Sequence, residues 1–182
     1  MGWIAGVDGC KGGWIAACLD TAKGGPPLLR VEPDFRTLLA FDPALIAVDM
    51  PIGLPDRIEG SGRGPEQLVR PWLGQRQSSV FSIPSRGAVE AADYGEACRQ
   101  ALATSQPPRK VSKQGFHLFP RIREIDTLLR AETGLREHIR EVHPELAFAT
   151  MRGGPLAHPK KIKGRINEAG MAERRALLVA EG

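Results

Sequence analysis

Two short apolar runs that each end in an aspartate constrain the fold of this chain more than any other feature. Residues 3–8 read Trp-Ile-Ala-Gly-Val-Asp, and residues 44–49 read Ala-Leu-Ile-Ala-Val-Asp. The second run shows no polar alternation before Asp49, which is typical of a central strand covered on both faces. The first run predicts a buried strand that ends at Asp8.

The segments around these runs predict three strands, a helix and a further strand. A glycine-rich turn at residues 9–13 separates the first run from a strand at residues 14–19, so these two strands form a hairpin. Residues 28–32 are expected to form a third strand, and residues 35–41 a helix with Asp34 as its N-cap. We therefore predict an α/β fold with a ribonuclease H-like mixed sheet. Such a sheet is an antiparallel three-strand meander plus parallel strands, flanked by helices.

The rest of the chain is predicted to be mainly helical. Residues 50–92 are rich in Pro, Gly, Ser and Arg, and long connections of this kind are often functional or mobile. Residues 155–180 predict a basic loop that leads into a helix. The other predicted elements are helices at residues 66–73, 93–104 and 112–132 and a strand at residues 138–142. The length suits a single domain, residues 1–182, with a loop and helix insertion around residues 50–135.

The formal net charge of +4 is unevenly distributed along the chain. Residues 1–106 contain 10 Lys/Arg and 12 Asp/Glu, whereas residues 107–182 contain 15 and 9. A basic half suits an anionic partner such as nucleic acid or a phosphate ester, and a solvated basic surface is the alternative interpretation. No run approaches the ~20 apolar residues that span a bilayer, so no membrane partner is expected. The three cysteines form no CxxC pair, which indicates free thiols in a reducing cytoplasm.

Asp8 and Asp49 are the strongest candidates for chemistry. Each follows an apolar strand, and ligands of α/β sheets bind at strand ends. Two carboxylates brought together there repel each other, and a hard cation such as Mg²⁺ or Mn²⁺ relieves that repulsion. Such an acidic site can hold metal ions for phosphoryl chemistry. The alternative is that one or both aspartates cap a loop or a helix.

Glu141 and Glu145 flank His143 and Pro144 after a short predicted strand. If that strand lies beside the Asp49 strand, one glutamate joins the site, with Glu141 as the candidate third metal ligand. His143 would move protons near neutral pH. The alternative is a turn in which Glu145 interacts with the dipole of a following helix. Two other acids, Glu124 and Asp126, are expected on a solvated helix face.

The candidate substrate-binding residues are cationic or carry hydroxyl groups: Lys11, Arg76, Ser78, Ser79, Lys160 and Lys161. Lys11 lies in the glycine-rich turn, where backbone N–H groups can bind phosphate, although a plain hairpin turn explains the same glycines. Guanidinium and hydroxyl groups at residues 76–79 suit phosphate contacts. The basic run at residues 160–165 could follow a nucleic-acid backbone, and a solvated helix entry is the alternative.

Four motifs resemble a bacterial and archaeal family of uncharacterised proteins, usually described as predicted ribonuclease H-like nucleases. The motifs are residues 7–14 (VDGCKGGW), 48–55 (VDMPIGLP), 74–81 (GQRQSSVF) and 141–145 (EVHPE). The resemblance spans nearly the whole chain. It implies that Asp8 and Asp49 correspond to the first two metal-binding acids of the ribonuclease H-like class, with Glu141 or Glu145 near them.

The sequence differs from the pattern of this family in two places. The family continues further, with an acidic pair on a final helix, so this domain is expected to lack its C-terminal end. Residues 67–72 read Gln-Leu-Val-Arg-Pro-Trp, where the family has a Cys-Asp and an Ala-Arg pair.

The function expected from these observations is that of a metal-dependent nuclease or phosphodiesterase acting on nucleic acid, with Mg²⁺ or Mn²⁺ as cofactor. The alternative is a non-catalytic nucleic-acid binding module on the same fold. A phosphotransferase of sugar-kinase and actin architecture is a third hypothesis, but that class requires a second lobe for which 182 residues leave no room. The oligomeric state is open, and a homodimer would cover apolar surface such as residues 177–179.

Overall fold

The structure is a computed structural model that describes residues 2–181. Its strands are β1 (Trp3–Cys10), β2 (Gly13–Asp20), β3 (Leu28–Glu32), β4 (Leu45–Val48), β5 (Ile58–Glu59), β6 (Ser105–Gln106), β7 (Ile139–Glu141), β8 (Lys161–Ile162) and β9 (Arg165–Ile166). Its helices are α1 (Phe35–Leu39), α2 (Gly64–Leu73), α3 (Arg86–Glu90), α4 (Tyr94–Ala103), α5 (Lys113–Ala131), α6 (Pro144–Arg152) and α7 (Glu168–Glu181), with 3₁₀ helices at Gly74–Ser79 and Thr133–Glu137.

The chain divides into two compact units. The first is built from the chain through Gly60 and from Ile83–Val142, and the second from Ser61–Ser82 and the chain from His143 onward. The insertion predicted around residues 50–135 is therefore divided. Residues 61–82 belong to the second unit, and residues 83–135 contribute to the first.

The first unit contains a five-stranded mixed sheet with the order β3-β2-β1-β4-β7. β1, β2 and β3 form an antiparallel meander, and β4 and β7 extend it as parallel strands. The predicted mixed α/β class is confirmed, and this strand order is compatible with a ribonuclease H-like fold. β1 and β2 are longer than expected because their hairpin pairing continues to Cys10 and Gly13.

One face of this sheet carries the hydrophobic core. Val7 pairs with Ala16 on one side and Val48 on the other, and all three are buried. Trp14 and Phe35 are fully buried and meet edge to face, with ring centroids 5.0 Å apart. α5 adds further buried side chains at helical spacing, namely Phe119, Ile122 and Ile125. Because aliphatic and aromatic burial dominates folding free energy, this cluster specifies which face of the sheet is covered.

The opposite face of the sheet is more open, and β3 forms one edge of the sheet. Leu29 is 67% exposed and Val31 is 58% exposed. Pro27 and Pro33 flank β3 in the sequence. The exposed apolar edge is therefore a short strand, bounded by a proline at each end.

The second unit contains buried charged side chains that are paired with each other. Arg174 is 5% exposed and donates from Nη2 to both carboxylate oxygens of Glu145, at 2.5 and 2.8 Å. This pair joins α7 to α6. Arg63 and Glu66, both buried, form a second ion pair at 2.8 Å at the start of α2.

No helix within residues 2–181 has the length and apolar character needed to cross a bilayer. The three cysteines are unpaired: Cys18 is buried, and Cys10 and Cys98 are half-buried. The unpaired cysteines agree with the free thiols predicted from the sequence.

Candidate functional site

Asp8 lies on β1, and Asp49 directly follows the neighbouring parallel strand β4. Val7 pairs with Val48, and the Asp49 backbone N–H donates to the Val7 carbonyl at 2.9 Å, so the ladder continues to the two aspartates. Adjacent strands lie about 4.8 Å apart. Because Val7 and Val48 face the core, strand alternation places both aspartates on the opposite, more open face. The structure therefore brings these two carboxylate-bearing residues together.

The surface next to the aspartates is formed by small residues. Gly6 pairs with Ala47 one step back along the same face. A Cβ atom added at Gly6 would meet nothing within 4 Å. Asp8 is exposed and Asp49 is half-buried, so open space adjoins the carboxylate pair. A hydrated ion fits such a place.

The loop after Asp49 is anchored at several points within the first unit. The Ile52 N–H donates to Glu141 Oε2 at 2.8 Å. Further along the loop, Arg86 Nη2 donates to the Leu54 carbonyl at 3.2 Å. These bonds fix the backbone that follows β4, and with it the position of Asp49.

Glu141 lies on β7, the strand next to β4, but it is one residue out of step with the aspartates and is assigned to the other face of the sheet. It pairs with Val48 across β7 and β4, so alternation assigns it to the core-facing side of the sheet. Its carboxylate turns to the Ile52 amide instead of following Asp8 and Asp49 on the open face. In this geometry Glu141 positions the loop.

His143 and Glu145 belong to the second unit, at the start of α6. Glu145 lies in the first turn of the helix, where a carboxylate interacts well with the helix dipole, and both of its oxygens accept from Arg174. His143 is the N-cap residue, with Nε2 at 3.5 Å from the Ser79 carbonyl. Its buried Nδ1 atom has no hydrogen-bond partner among residues 2–181.

The predicted phosphate-contact residues occupy three separate elements. Arg76, Ser78 and Ser79 lie in the 3₁₀ helix Gly74–Ser79, where Arg76 Nη2 donates to the Leu156 carbonyl at 3.1 Å. Ser78 and Ser79 are exposed. The remaining predicted contact residues are lysines. Lys160 and Lys161 lie at the start of the β8–β9 hairpin, and Lys11 lies in the β1–β2 turn.

The glycine-rich turn that holds Lys11 is a tight β-hairpin turn. Cys10 pairs with Gly13, which leaves only Lys11 and Gly12 in the loop. Gly13 has a φ of 137°, and a Cβ atom there would lie 2.0 Å from the Glu32 carbonyl oxygen. Close approach to the end of β3 therefore requires glycine at this position.

Two acids that sequence reasoning assigned to a solvated helix face are in fact paired. Glu124 accepts from Trp14 Nε1 at 3.0 Å and from the Phe35 N–H. Asp126 accepts from both terminal nitrogens of Arg86, and this hydrogen bond raises the pKa of the Arg86 guanidinium. The prediction was wrong because the partners are distant in sequence, so no local pattern indicated them.

Arg121 is a further residue that the sequence did not indicate. Its Nη2 atom donates to the Cys10 carbonyl at 3.0 Å, and its guanidinium lies 5.1 Å from the Trp14 ring centroid. Arg121 therefore ties the end of β1, two residues after Asp8, to α5.

The carboxylate pair suits a hard divalent cation. Mg²⁺ is usually bound through one or two carboxylates and retains several waters, which agrees with two aspartates beside open space. Within residues 2–181, no three His, Cys, Asp or Glu side chains converge as a metal-binding group.

Comparison with known proteins identifies a family. Residues 6–181 match a family described as "Protein of unknown function (DUF429)". No curated protein and no solved structure matches the chain significantly. Because the match covers all but the ends of the sequence, the chain belongs to this family of proteins of unknown function.

Proposed function

We propose that this protein is a metal-dependent nuclease or phosphodiesterase of the ribonuclease H-like class that acts on nucleic acid. The observation that carries the proposal is the placement of Asp8, on β1, beside Asp49, which directly follows the parallel strand β4 of the mixed sheet. The free thiols agree with a cytoplasmic location.

Asp8 and Asp49 would hold Mg²⁺ or Mn²⁺. A bound divalent ion supplies an activated water and stabilises charge on the reacting phosphate oxygens. Asp49 is held in place by its backbone bond to Val7, while the exposed Asp8 side chain is free to approach the ion from solvent. Glu141 supports the site by holding the Ile52 amide and therefore the loop that follows Asp49.

Substrate phosphates would be bound by the cationic and hydroxyl groups predicted from the sequence. Lys11 is exposed three residues after Asp8, in the same unit as the two aspartates. Lys160 and Lys161 are exposed in the second unit, and Arg76, Ser78 and Ser79 add hydrogen-bond donors there. His143 is proposed to move protons, since an imidazole ring can both donate and accept a proton.

A non-catalytic nucleic-acid binding module is the second candidate, and the state of the two glutamates favours it. Glu141 accepts from a backbone amide, and Glu145 accepts twice from Arg174. Two-metal chemistry needs an acidic cluster, and both glutamates are engaged elsewhere in the fold.

The first test is calorimetric titration with Mn²⁺ of the native chain, of Asp8→Asn and of Asp56→Asn. Asp56 is an exposed aspartate on a loop of the same unit and serves as the matched control. We expect binding by the native chain and by Asp56→Asn, and loss of binding by Asp8→Asn. Equal binding by all three proteins would show that the metal does not bind at Asp8 and Asp49.

The second step measures cleavage of end-labelled DNA and RNA oligonucleotides in Mn²⁺. Product formed by the native chain and Asp56→Asn, but not by Asp8→Asn, would support the nuclease. Cleavage retained by Asp8→Asn would refute the assignment. If Mn²⁺ does not bind and no product forms while nucleic acid binds, the binding-module function takes its place.

A further inference from the structure

The net charge of the chain is concentrated in one short segment. Residues 160–167 contain four Lys/Arg and no Asp/Glu, whereas the other 174 residues contain 21 of each. The formal excess of +4 therefore equals the charge of this segment. We call residues 160–167 the basic hairpin.

The basic hairpin is a narrow two-stranded ribbon. β8 and β9 are antiparallel, with Lys161 opposite Ile166 and Ile162 opposite Arg165. Lys163 and Gly164 form the loop between them, with φ of 48° and 79°. Positive φ at both loop residues is typical of a type I′ turn, whose twist matches that of the flanking strands.

Both faces of the ribbon are exposed and cationic. Paired residues lie on the same face, so each face carries one cation and one isoleucine. Ile162 is 54% exposed and Ile166 is 69% exposed. The cationic side chains of the hairpin make no hydrogen bond or ion pair with any residue in the 2–181 range. They are therefore available to a partner, unlike Arg174 in the same unit.

The tip of the hairpin places a lysine where the backbone disfavours it. Positive φ is costly for residues with a Cβ atom, and Gly, Asn or Asp are the residues usually found there. Lys163 nevertheless occupies the first loop position with φ of 48°. A residue held in such a conformation suggests a role for its side chain, here an ammonium group at the far end of the ribbon.

The base of the hairpin is fixed to α7. Asn167 donates from Nδ2 to the Pro159 carbonyl at 2.8 Å and from its backbone N–H to the Lys160 carbonyl at 3.0 Å. Gly170 of α7 lies against Pro159 so closely that an added Cβ atom would be 2.1 Å from the Pro159 oxygen. These contacts hold the ribbon in a defined orientation relative to the helix.

We infer that the basic hairpin binds double-stranded DNA by entering a groove. The major groove of B-DNA is about 12 Å wide and admits a two-stranded ribbon. The two phosphate backbones that border a groove explain cations on both faces of the ribbon, because a flat anionic surface would contact one face only. Exposed Ile162 and Ile166 would contact base edges or sugars. The inference deepens the proposed function and rests on it for the class of partner, but it requires no metal.

The main experiment measures binding of a labelled DNA duplex of about two helical turns by fluorescence anisotropy in EDTA, over about 50–200 mM salt. The full chain is compared with the variant Lys161→Ala/Lys163→Ala/Arg165→Ala. The matched control removes three exposed lysines of the other unit, Lys23→Ala/Lys110→Ala/Lys113→Ala. For the hairpin variant we expect weaker binding and a salt slope that is shallower by about 0.9 for each phosphate that it no longer neutralises. The control should keep the native slope.

A second variant, Ile162→Ser/Ile166→Ser, tests entry into a groove. It keeps all four charges, so the salt slope should not change, whereas the preference for duplex over single-stranded DNA should fall. Circular dichroism verifies that both hairpin variants remain folded.

Three results would overturn the inference. The first is native affinity and salt slope in the hairpin triple variant, and the second is an equal loss of affinity in the lysine control. The third is hairpin-dependent binding to vesicles containing phosphatidylglycerol, with duplex binding unaffected by the hairpin substitutions. Duplex binding is measured in EDTA, so its outcome does not depend on the metal proposed at Asp8 and Asp49. Failure of the proposed nuclease activity is thus distinguishable from failure of the hairpin assignment.

Discussion

The two units of this protein are stabilised by different physical interactions. The first unit has an extended apolar cluster that includes Trp14, Phe35 and Phe119. In the second unit, Arg63, Glu66 and Arg174 are the buried charged residues of the described chain. The first unit depends mainly on hydrophobic burial, whereas the second buries ion pairs together with a few apolar side chains such as Leu73 and Leu156.

This difference affects how each unit tolerates change. Hydrophobic burial is non-directional and roughly proportional to area, so its loss scales with the atoms removed. A buried ion pair balances a large desolvation cost with one specific partner, and removal of that partner leaves an uncompensated charge. The second unit should therefore be sensitive to single charge removals and tolerant of paired ones.

The largest effect is expected from Phe119→Ala in the first unit. Phe119 is fully buried on α5, and such truncations cost about 3–5 kcal/mol. Amide hydrogen exchange should show this loss in β1 and α5, with a smaller change in α6 and α7. The matched control is Phe81→Ala, which removes an exposed phenylalanine of the second unit. An equal loss of exchange protection in both units would contradict the idea that the two units are stabilised separately.

A somewhat smaller loss, about 3 kcal/mol, is expected from Arg174→Met in the second unit, at the lower end of the cost of breaking a buried ion pair because Glu145 is only half-buried. This change leaves the half-buried Glu145 carboxylate without its partner. The measurement is hydrogen exchange of α6 and α7 amides. The double variant Glu145→Leu/Arg174→Met should recover the part of the loss that comes from the unpaired charge, but not the bonds from Arg174 Nη1 to the His158 and Gly170 carbonyls. A double variant as unstable as the single one would show that the ion pair with Glu145 is not the main contribution.

The smallest effect concerns the pH dependence of Cys18 in the first unit. Burial raises the pKa of the Cys18 thiol, and the Arg30 charge opposes that shift. Folding therefore favours the protonated thiol, and this contribution to stability is lost as pH rises from the ordinary pKa of a thiol through the raised pKa of folded Cys18. Iodoacetamide labelling followed by mass spectrometry should show a rate profile displaced to higher pH in the folded chain than in urea. Superimposable profiles would contradict a raised pKa.

The parts of the first unit that the sequence predicted are those with local apolar patterns. The runs at residues 3–8 and 44–49 became β1 and β4, and the segment predicted as a helix at residues 112–132 became α5. Because each run ends at its aspartate, the strand assignment also brought Asp8 and Asp49 together. Local hydrophobicity was sufficient to predict these elements. It did not specify the buried face, because the run before Asp49 predicted a strand covered on both faces, whereas Leu45 of β4 is 39% exposed.

The parts that were not predicted depend on distant partners or on very short elements. The pairing of Glu124 with Trp14 spans 110 residues, and no local pattern encodes such a contact. The basic hairpin was expected to be a loop, because strands of two residues are too short to show alternation. The sequence signal for it was the Lys163-Gly164 turn between two Ile-containing pairs.

The edge strand β3 also has a consequence for encounters between molecules. An exposed apolar edge presents unpaired backbone groups on which a strand from a second molecule can add. Proline lacks the N–H group that such a ladder needs, and Pro27 and Pro33 stand at either end of β3. The stretch open to intermolecular pairing is thereby limited to the five residues between Leu28 and Glu32. The two prolines thus act against fibril growth from the most apolar margin of the sheet.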